Sequence, residues 1–134
     1  MRYLLDTHII LWALMNQREL TARAREIIEN DNHVLYYSTV SLWEIAIKHK
    51  LHPDVIPNDA NDILGYLEKS PVRNLPLQNN HIVAMEGLHR ADDAPRHKDP
   101  FDRILLAQAK AEGMCFLTHD KMFVYYDDVQ VEIV

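Results

Sequence analysis

The sequence predicts an α/β fold in three layers, with helices on both faces of a central parallel sheet of four to five strands. Three observations predict it. Short runs rich in β-branched, aromatic and leucine residues alternate with longer segments of helical period. The 134 residues, 48% of them hydrophobic, are enough to bury a core without disulfides or structural metals. No repeat, low-complexity tract or linker interrupts the chain, so residues 1–134 read as a single domain.

Arg2 to Leu5 is a short apolar run that reads as a buried strand, ending at Asp6. Residues 8 to 15 (HIILWALM) are apolar around the whole helical circumference, so this helix is either buried on several sides or part of a subunit interface. Thr21 to Asn30 reads as a more polar helix, and Val34 to Tyr37 as a second strand. Ser38 or Thr39 can cap the next helix, which runs to about Lys50. A loop around Pro53 and Pro57 leads to a helix from about Asp59 to Lys69, a short strand at Val72 to Leu75, and a helix from Gln78 to Leu88. Residues 89 to 100 (HRADDAPRHKDP) are polar and aperiodic, a surface loop placed to touch substrate. Asp99 as N-cap and Pro100 at the first position start a helix through Phe101 to Glu112, which Gly113 can stop. Met114 to Leu117 and Val129 to Val134 read as the last strands.

Composition sets outer limits. Cys115 is the single cysteine, which rules out an internal disulfide and a cysteine-based zinc cluster. No apolar run approaches the roughly 20 residues of a membrane span, and Asp6 and His8 interrupt the N-terminal apolar run where a secretory signal would be continuous. A cytoplasmic protein is expected. The net charge of −6 at first opposes a nucleic-acid partner. If four of the 20 acids were metal ligands, however, 16 would face 14 Lys and Arg, and divalent cations would offset the other four.

Four acids fall where ligands bind in such sheets, at the carboxyl ends of strands or in the first turns of the following helices. Asp6 follows the first strand, where it is either an N-cap or a ligand. Glu44 falls between Val40 and Ile47 at helical period, beside Trp43, which puts a carboxylate at the apolar face. Its alternative role is a capping box with Ser41. Asp102 shares a stripe with Leu105, Leu106 and Ala109, while Arg103 and Lys110 mark the opposite, solvated face. Asp120 lies three residues beyond Leu117, in a turn. Crowded carboxylates repel unless protonated or neutralised, and a hard cation, Mg²⁺ or Mn²⁺, suits oxygen ligands. Such a site can activate water and stabilise charge on a phosphoryl group, which is the chemistry of phosphodiester hydrolysis.

Other chemistries lack their residues. Glycines at 65, 87 and 113 cannot build a Walker A or G-x-G-x-x-G loop, and neither G-x-S-x-G nor H-E-x-x-H occurs. His97 and His119 lie near the proposed ligands but are read as surface or structural histidines.

The motifs Tyr3-Leu4-Leu5-Asp6-Thr7-His8, Ser41-Leu42-Trp43-Glu44-Ile45, Asp99-Pro100-Phe101-Asp102-Arg103 and Leu117-Thr118-His119-Asp120 together resemble the PIN-domain family, and within it the VapC toxins of type II toxin–antitoxin systems. The resemblance runs from residue 3 to residue 120. It implies an endoribonuclease dependent on Mg²⁺ or Mn²⁺, normally a homodimer, held in check by a cognate antitoxin. It also implies that Asp6, Glu44, Asp102 and Asp120 are the catalytic, metal-binding acids, supported by Thr7 and Thr118. Either acid of the DPFDR motif could approach the metal; Asp102 is preferred for its inner-face spacing, with Asp99 in support. Asp6 and Asp102 would anchor the principal ion, with Glu44 and Asp120 binding through water or holding a second ion. Arg103, Arg96, Lys98 and Lys121 are the candidate contacts to substrate phosphates. Two other readings compete: a receiver-like phosphoacceptor domain with an acidic Mg²⁺ pocket, and a binding module of the same fold without significant nuclease activity.

Overall fold

The computed structural model describes residues 1–97 and 99–134. Among them the chain forms five strands in one sheet, every neighbouring pair parallel. The strands are β1 (Arg2–Leu5), β2 (Val34–Ser38), β3 (Arg73–Leu75), β4 (Cys115–Thr118) and β5 (Val131–Ile133). The helices are α1 (Thr7–Met15), α2 (Ala22–Glu29), α3 (Thr39–Leu51), α4 (Ala60–Glu68), α5 (Asn79–Glu86) and α6 (Pro100–Glu112). The strand order is β3-β2-β1-β4-β5. A receiver domain of the flavodoxin type has the order 2-1-3-4-5, so this topology removes the receiver-like alternative.

Side chains alternate across the two central strands, as the period of two requires. Tyr3 and Leu5 of β1, with Cys115 and Leu117 of β4, join Ile9, Ile10, Ile27, Ile45 and Ile63 in one apolar cluster. Leu4 and Phe116 point the other way and pack with Leu105, Leu106, Phe123 and Tyr126. Those two clusters are the interfaces of a three-layer α/β/α arrangement. Within the chain, α1 buries Ile9 and Ile10, leaves Leu11 to Leu14 half-buried and exposes Met15.

Most boundaries fall within two residues of the sequence expectation, and the exceptions have local causes. The helix after β2 is capped by Ser38, whose hydroxyl accepts from the Val40 N–H. Ser41 therefore lies inside α3, and the Ser41–Glu44 capping box does not form. Trp43, Ile47 and Leu51 make an exposed stripe on α3, 56%, 37% and 66% accessible, so the expected apolar face through Trp43 and Ile47 is on the outside. Gln17–Glu19 and Lys121–Tyr125 are additional 3-10 turns that periodicity does not reveal. The loop before α6 is pinned rather than free: Arg90 bridges to Tyr126, and the Ala91 N–H donates to the Tyr125 carbonyl. Lys98 lies outside the described residues.

Topology fixes where a ligand belongs. From β1 the chain winds outward through β2 and β3, then returns to the other side of β1 with β4 and β5. The order reverses between β1 and β4, and in open α/β sheets the crevice forms there, at the carboxyl ends of the strands. Asp6 follows β1, and Thr118 ends β4.

Candidate metal centre

Asp6 leaves β1 with its N–H bonded to the Leu117 carbonyl at 2.9 Å, then caps α1 by accepting from the Thr7 N–H at 2.8 Å through Oδ1. Its other oxygen accepts from Thr118 Oγ1 at 2.7 Å, tying the two strand ends across the switch point. The side chain thus serves as a cap and still faces the crevice, so the two roles weighed for it do not compete.

Glu44 is 2% exposed. Its Oε1 accepts from Thr7 Oγ1 at 2.7 Å, and that hydroxyl also lies 2.8 Å from Ser41 Oγ. Its Oε2 pairs with Lys48 Nζ at 2.5 Å. Lys48 reaches on toward Asp99 Oδ2 at 3.5 Å. Burial disfavours the Lys48 ammonium, but Glu44 and then Asp99 outweigh that cost and hold its pKa above the ordinary lysine value. Asp99 caps α6, its Oδ1 accepting from the N–H groups of Phe101 and Asp102.

Asp102 caps nothing, and its oxygen Oδ2 meets His97 Nε2 at 3.0 Å. His97 Nδ1 lies 2.8 Å from the Tyr126 hydroxyl, and the ring packs edge-on against Phe123. With a side chain only 4% exposed, His97 is not the surface histidine that was one of its two expected roles. His119 is exposed, contacts Trp12 and bonds the Val134 carbonyl. Asp120 caps the 3-10 turn through the Met122 N–H at 2.9 Å, while its own N–H donates to Thr118 Oγ1 at 3.0 Å.

Asp6, Glu44, Asp99, Asp102 and Asp120 all line one cavity of about 310 Å³, together with Lys48, His8, Trp12 and His119. Asp6, Asp99 and Asp120 each cap a helical N-terminus at this cavity, so partly positive backbone ends face the acids. That offsets only part of the repulsion. Burial, then Asp102 and Glu44, push the Asp6 carboxyl up to about 7, against the hydrogen bonds from Thr118 and Thr7. Burial also raises Asp102, with Asp99 and Glu44 adding to it and His97 opposing it.

The donor set suits a divalent cation. Its oxygens are carboxylate, the ligand type of hard ions, and two of the acids sit above their usual pKa because of burial and the neighbouring carboxylates. Among the described residues, one trio has ligand atoms all within 4.8 Å of one another: His97, Asp102 and Asp120. Asp102 and Asp120 of this trio are two of the four expected acids, and the two ring nitrogens of His97 lie against Asp102 and the Tyr126 hydroxyl.

The expected phosphate contacts fare differently. Arg96, Arg103 and Lys121 do not line the cavity, whereas Lys48, which the sequence reading passed over, does. A signal was available: Lys48 follows Glu44 by four residues, so it shares the same helical face.

Comparison with known proteins adds three findings. The model of the PIN domain matches residues 3–129. No curated protein matches the sequence significantly. Among solved structures, VapBC2 from Rickettsia felis bound to a DNA fragment from its promoter superposes with a TM-score of 0.66 at 15% identity, covering 99% of this chain and 98% of that one. FitAcB from Neisseria gonorrhoeae gives 0.63 at 22% identity, covering 96% and 95%. VapBC-5 from Mycobacterium tuberculosis, a member of the VapBC family of toxin–antitoxin systems, gives 0.60 at 19% identity, covering 99% and 97%.

Proposed function

The chain belongs to the PIN-domain family, and from that premise we propose that it is an endoribonuclease dependent on Mg²⁺ or Mn²⁺, the toxin of a type II toxin–antitoxin pair. The observation that carries the reading is the convergence of Asp6, Glu44, Asp102 and Asp120 on one cavity at the switch point of the sheet. Four buried or half-buried carboxylates drawn from the turn after β1, from α3, from α6 and from the segment after β4 serve no shared structural purpose, and their mutual repulsion costs stability.

A bound divalent cation would supply an activated water and neutralise the charge that builds on the phosphoryl group. The chain's own part is to hold the acids in register. Thr118 fixes Asp6, Thr7 fixes Glu44, and His97, itself held by Tyr126, fixes one oxygen of Asp102. Partners of metal ligands of this kind orient them and tune their basicity. Asp99 supports Asp102 by capping the turn that carries it. Arg96, Arg103 and Lys121 are left as contacts to phosphates flanking the cleaved one.

A cognate antitoxin fits the toxin–antitoxin complexes among the structural neighbours, and a homodimer and a cytoplasmic location complete the reading. No helix of the described residues is long and apolar enough to cross a membrane. The test is RNA cleavage by purified protein with Mn²⁺, with EDTA, and with Asp102→Asn. Cleavage should require the metal and fall at least about a hundredfold in the variant. Metal-independent cleavage, or an Asp102→Asn protein as fast as wild type, rejects it.

A further inference from the structure

The acidic cavity contains one lysine to which the metal reading gives no role. Lys48 stands one turn after Glu44, with Nζ 2.5 Å from Glu44 Oε2 and 3.5 Å from Asp99 Oδ2. A Glu–Lys pair at i,i+4 is ordinarily a solvent-side contact of small worth. This pair differs in two respects. Its carboxylate is 3% exposed, and its second partner is the N-cap of a different helix, 51 residues away in sequence. The ammonium therefore stands on the cavity wall, paired with the Glu44 oxygen that is not held by Thr7.

We propose that Lys48 is the phosphate-binding residue of this cavity, held on Glu44 and Asp99 as their counterion until a divalent ion takes over the carboxylate charge. The proposal rests on the metal-dependent RNA hydrolysis inferred above. An ammonium and a metal ion that share Glu44 repel each other, so each weakens the other's hold on that carboxylate. Lysine can change partners readily, because it is a point charge on a flexible stem with three donors and no fixed fork. Once the charge on Glu44 is taken up, Nζ is free to turn from Glu44 to an anionic phosphate oxygen of the bound RNA strand. Asp99, with Oδ2 3.5 Å from Nζ, keeps the ammonium beside the cavity.

Two consequences of opposite sign follow from one substitution. Lys48→Met keeps the apolar stem and removes the charge. With RNA absent, Mn²⁺ should bind Lys48→Met about tenfold more tightly than wild type, because the competing cation is gone. With Mn²⁺ saturating, the KM for a single-stranded oligoribonucleotide should rise about tenfold, because a phosphate contact is gone. Lys48→Arg keeps the competing charge and should leave Mn²⁺ affinity within about threefold of wild type. A lysine that only props the fold would not tighten metal binding when removed.

Calorimetric titration with Mn²⁺ and steady-state cleavage measure the two effects, on protein whose circular dichroism is native in the presence of Mn²⁺. Should Lys48→Met fail to fold, Lys48→Gln carries the same two comparisons. Unchanged or weaker Mn²⁺ binding, or an unchanged KM, overturns the proposal. Wild-type protein that neither binds Mn²⁺ nor cleaves RNA instead rejects the nuclease reading beneath it, before any Lys48 variant is compared.

Discussion

Replacing Asp6 with Asn should make the metal-free protein more stable and the metal-loaded protein less so. Asp6 is 4% exposed, and its carboxyl is pushed from 3.8 to about 7, first by burial and then by Asp102. Its pKa is thus higher in the folded chain than in the unfolded one. Between those two values the folded state holds a proton that the unfolded state has released, so stability falls as pH rises from about 4 to about 7. At about 1.4 kcal/mol per pH unit, the penalty above pH 7 is of the order of 4 kcal/mol. Asparagine escapes it while still accepting from the Thr7 N–H, and its amide can donate to Thr118 Oγ1. The hydrogen bonds from Thr118 and Thr7 are already counted in that value of about 7, so the net gain at pH 8 is of the order of 4 kcal/mol. For a chain of this length that is a rise in Tm of the order of 10–15 °C. The assay is thermal unfolding in EDTA at pH 4, 6 and 8. The two proteins should melt together at pH 4 and diverge toward pH 8, and saturating Mn²⁺ should stabilise wild type more than Asp6→Asn. Curves that stay parallel from pH 4 to pH 8, or an Asn variant that melts lower in EDTA at pH 8, would refute the account of Asp6 as a strained acid awaiting a cation.

Other substitutions test neighbouring parts of the structure. Thr118→Val removes the hydroxyl that donates to Asp6 and accepts from the Asp120 N–H; it should cost about 1–3 kcal/mol in denaturant unfolding and weaken Mn²⁺ binding measured by calorimetry. Leu105→Ala empties a fully buried position on α6 and should lower stability by about 3 kcal/mol, read as a shift in urea midpoint at constant m-value. Gly113→Ala forces a side chain into the left-handed backbone at φ 66° that ends α6, for a loss of about 1 kcal/mol by the same measurement. His97→Gln should weaken Mn²⁺ binding at least about tenfold, because Asp102 loses the partner that orients it; unchanged calorimetric affinity would show that Asp102 needs no such support.

Among the described residues, the alternation of short apolar runs with helical periods located the five strands and six helices, because run length and period are local patterns and many of the element ends carry local signals. Asp99, Pro100 and Gly113 bound α6 by backbone chemistry that neighbours in sequence suffice to specify. Glu44 shows the limit of that logic. Its burial was expected from a stripe of Val40, Trp43 and Ile47, of which only Val40 is buried; the buried face runs through Val40, Ser41, Glu44 and Ile45. Periodicity gives the spacing of a face, not which of two faces turns inward when both carry apolar residues. His97 was left between a surface and a structural role for a different reason. It lies in an aperiodic stretch, and its environment is made by Phe123 and Tyr126, more than 25 residues on, which no local pattern reports. The same holds for the bond from Thr118 to Asp6, since only the strand order brings those residues together.

That bond, closed across 112 residues, also gives the cavity a place in time. As the chain leaves the ribosome, β1, β2 and β3 can pair once Leu75 is out, yet β1 keeps one edge bare until residues 115–118 arrive. Contacts of such long sequence separation form late, because the loop must be closed before they contribute anything. Until then Asp6 has no hydroxyl on its second oxygen, and Asp120 has no wall to join. A nascent chain halted before β4 exposes an unpaired edge prone to association, but it holds no complete set of acids. The acids of the cavity are thereby brought together only when β4 and Asp120 are in place, at the end of folding rather than at its start.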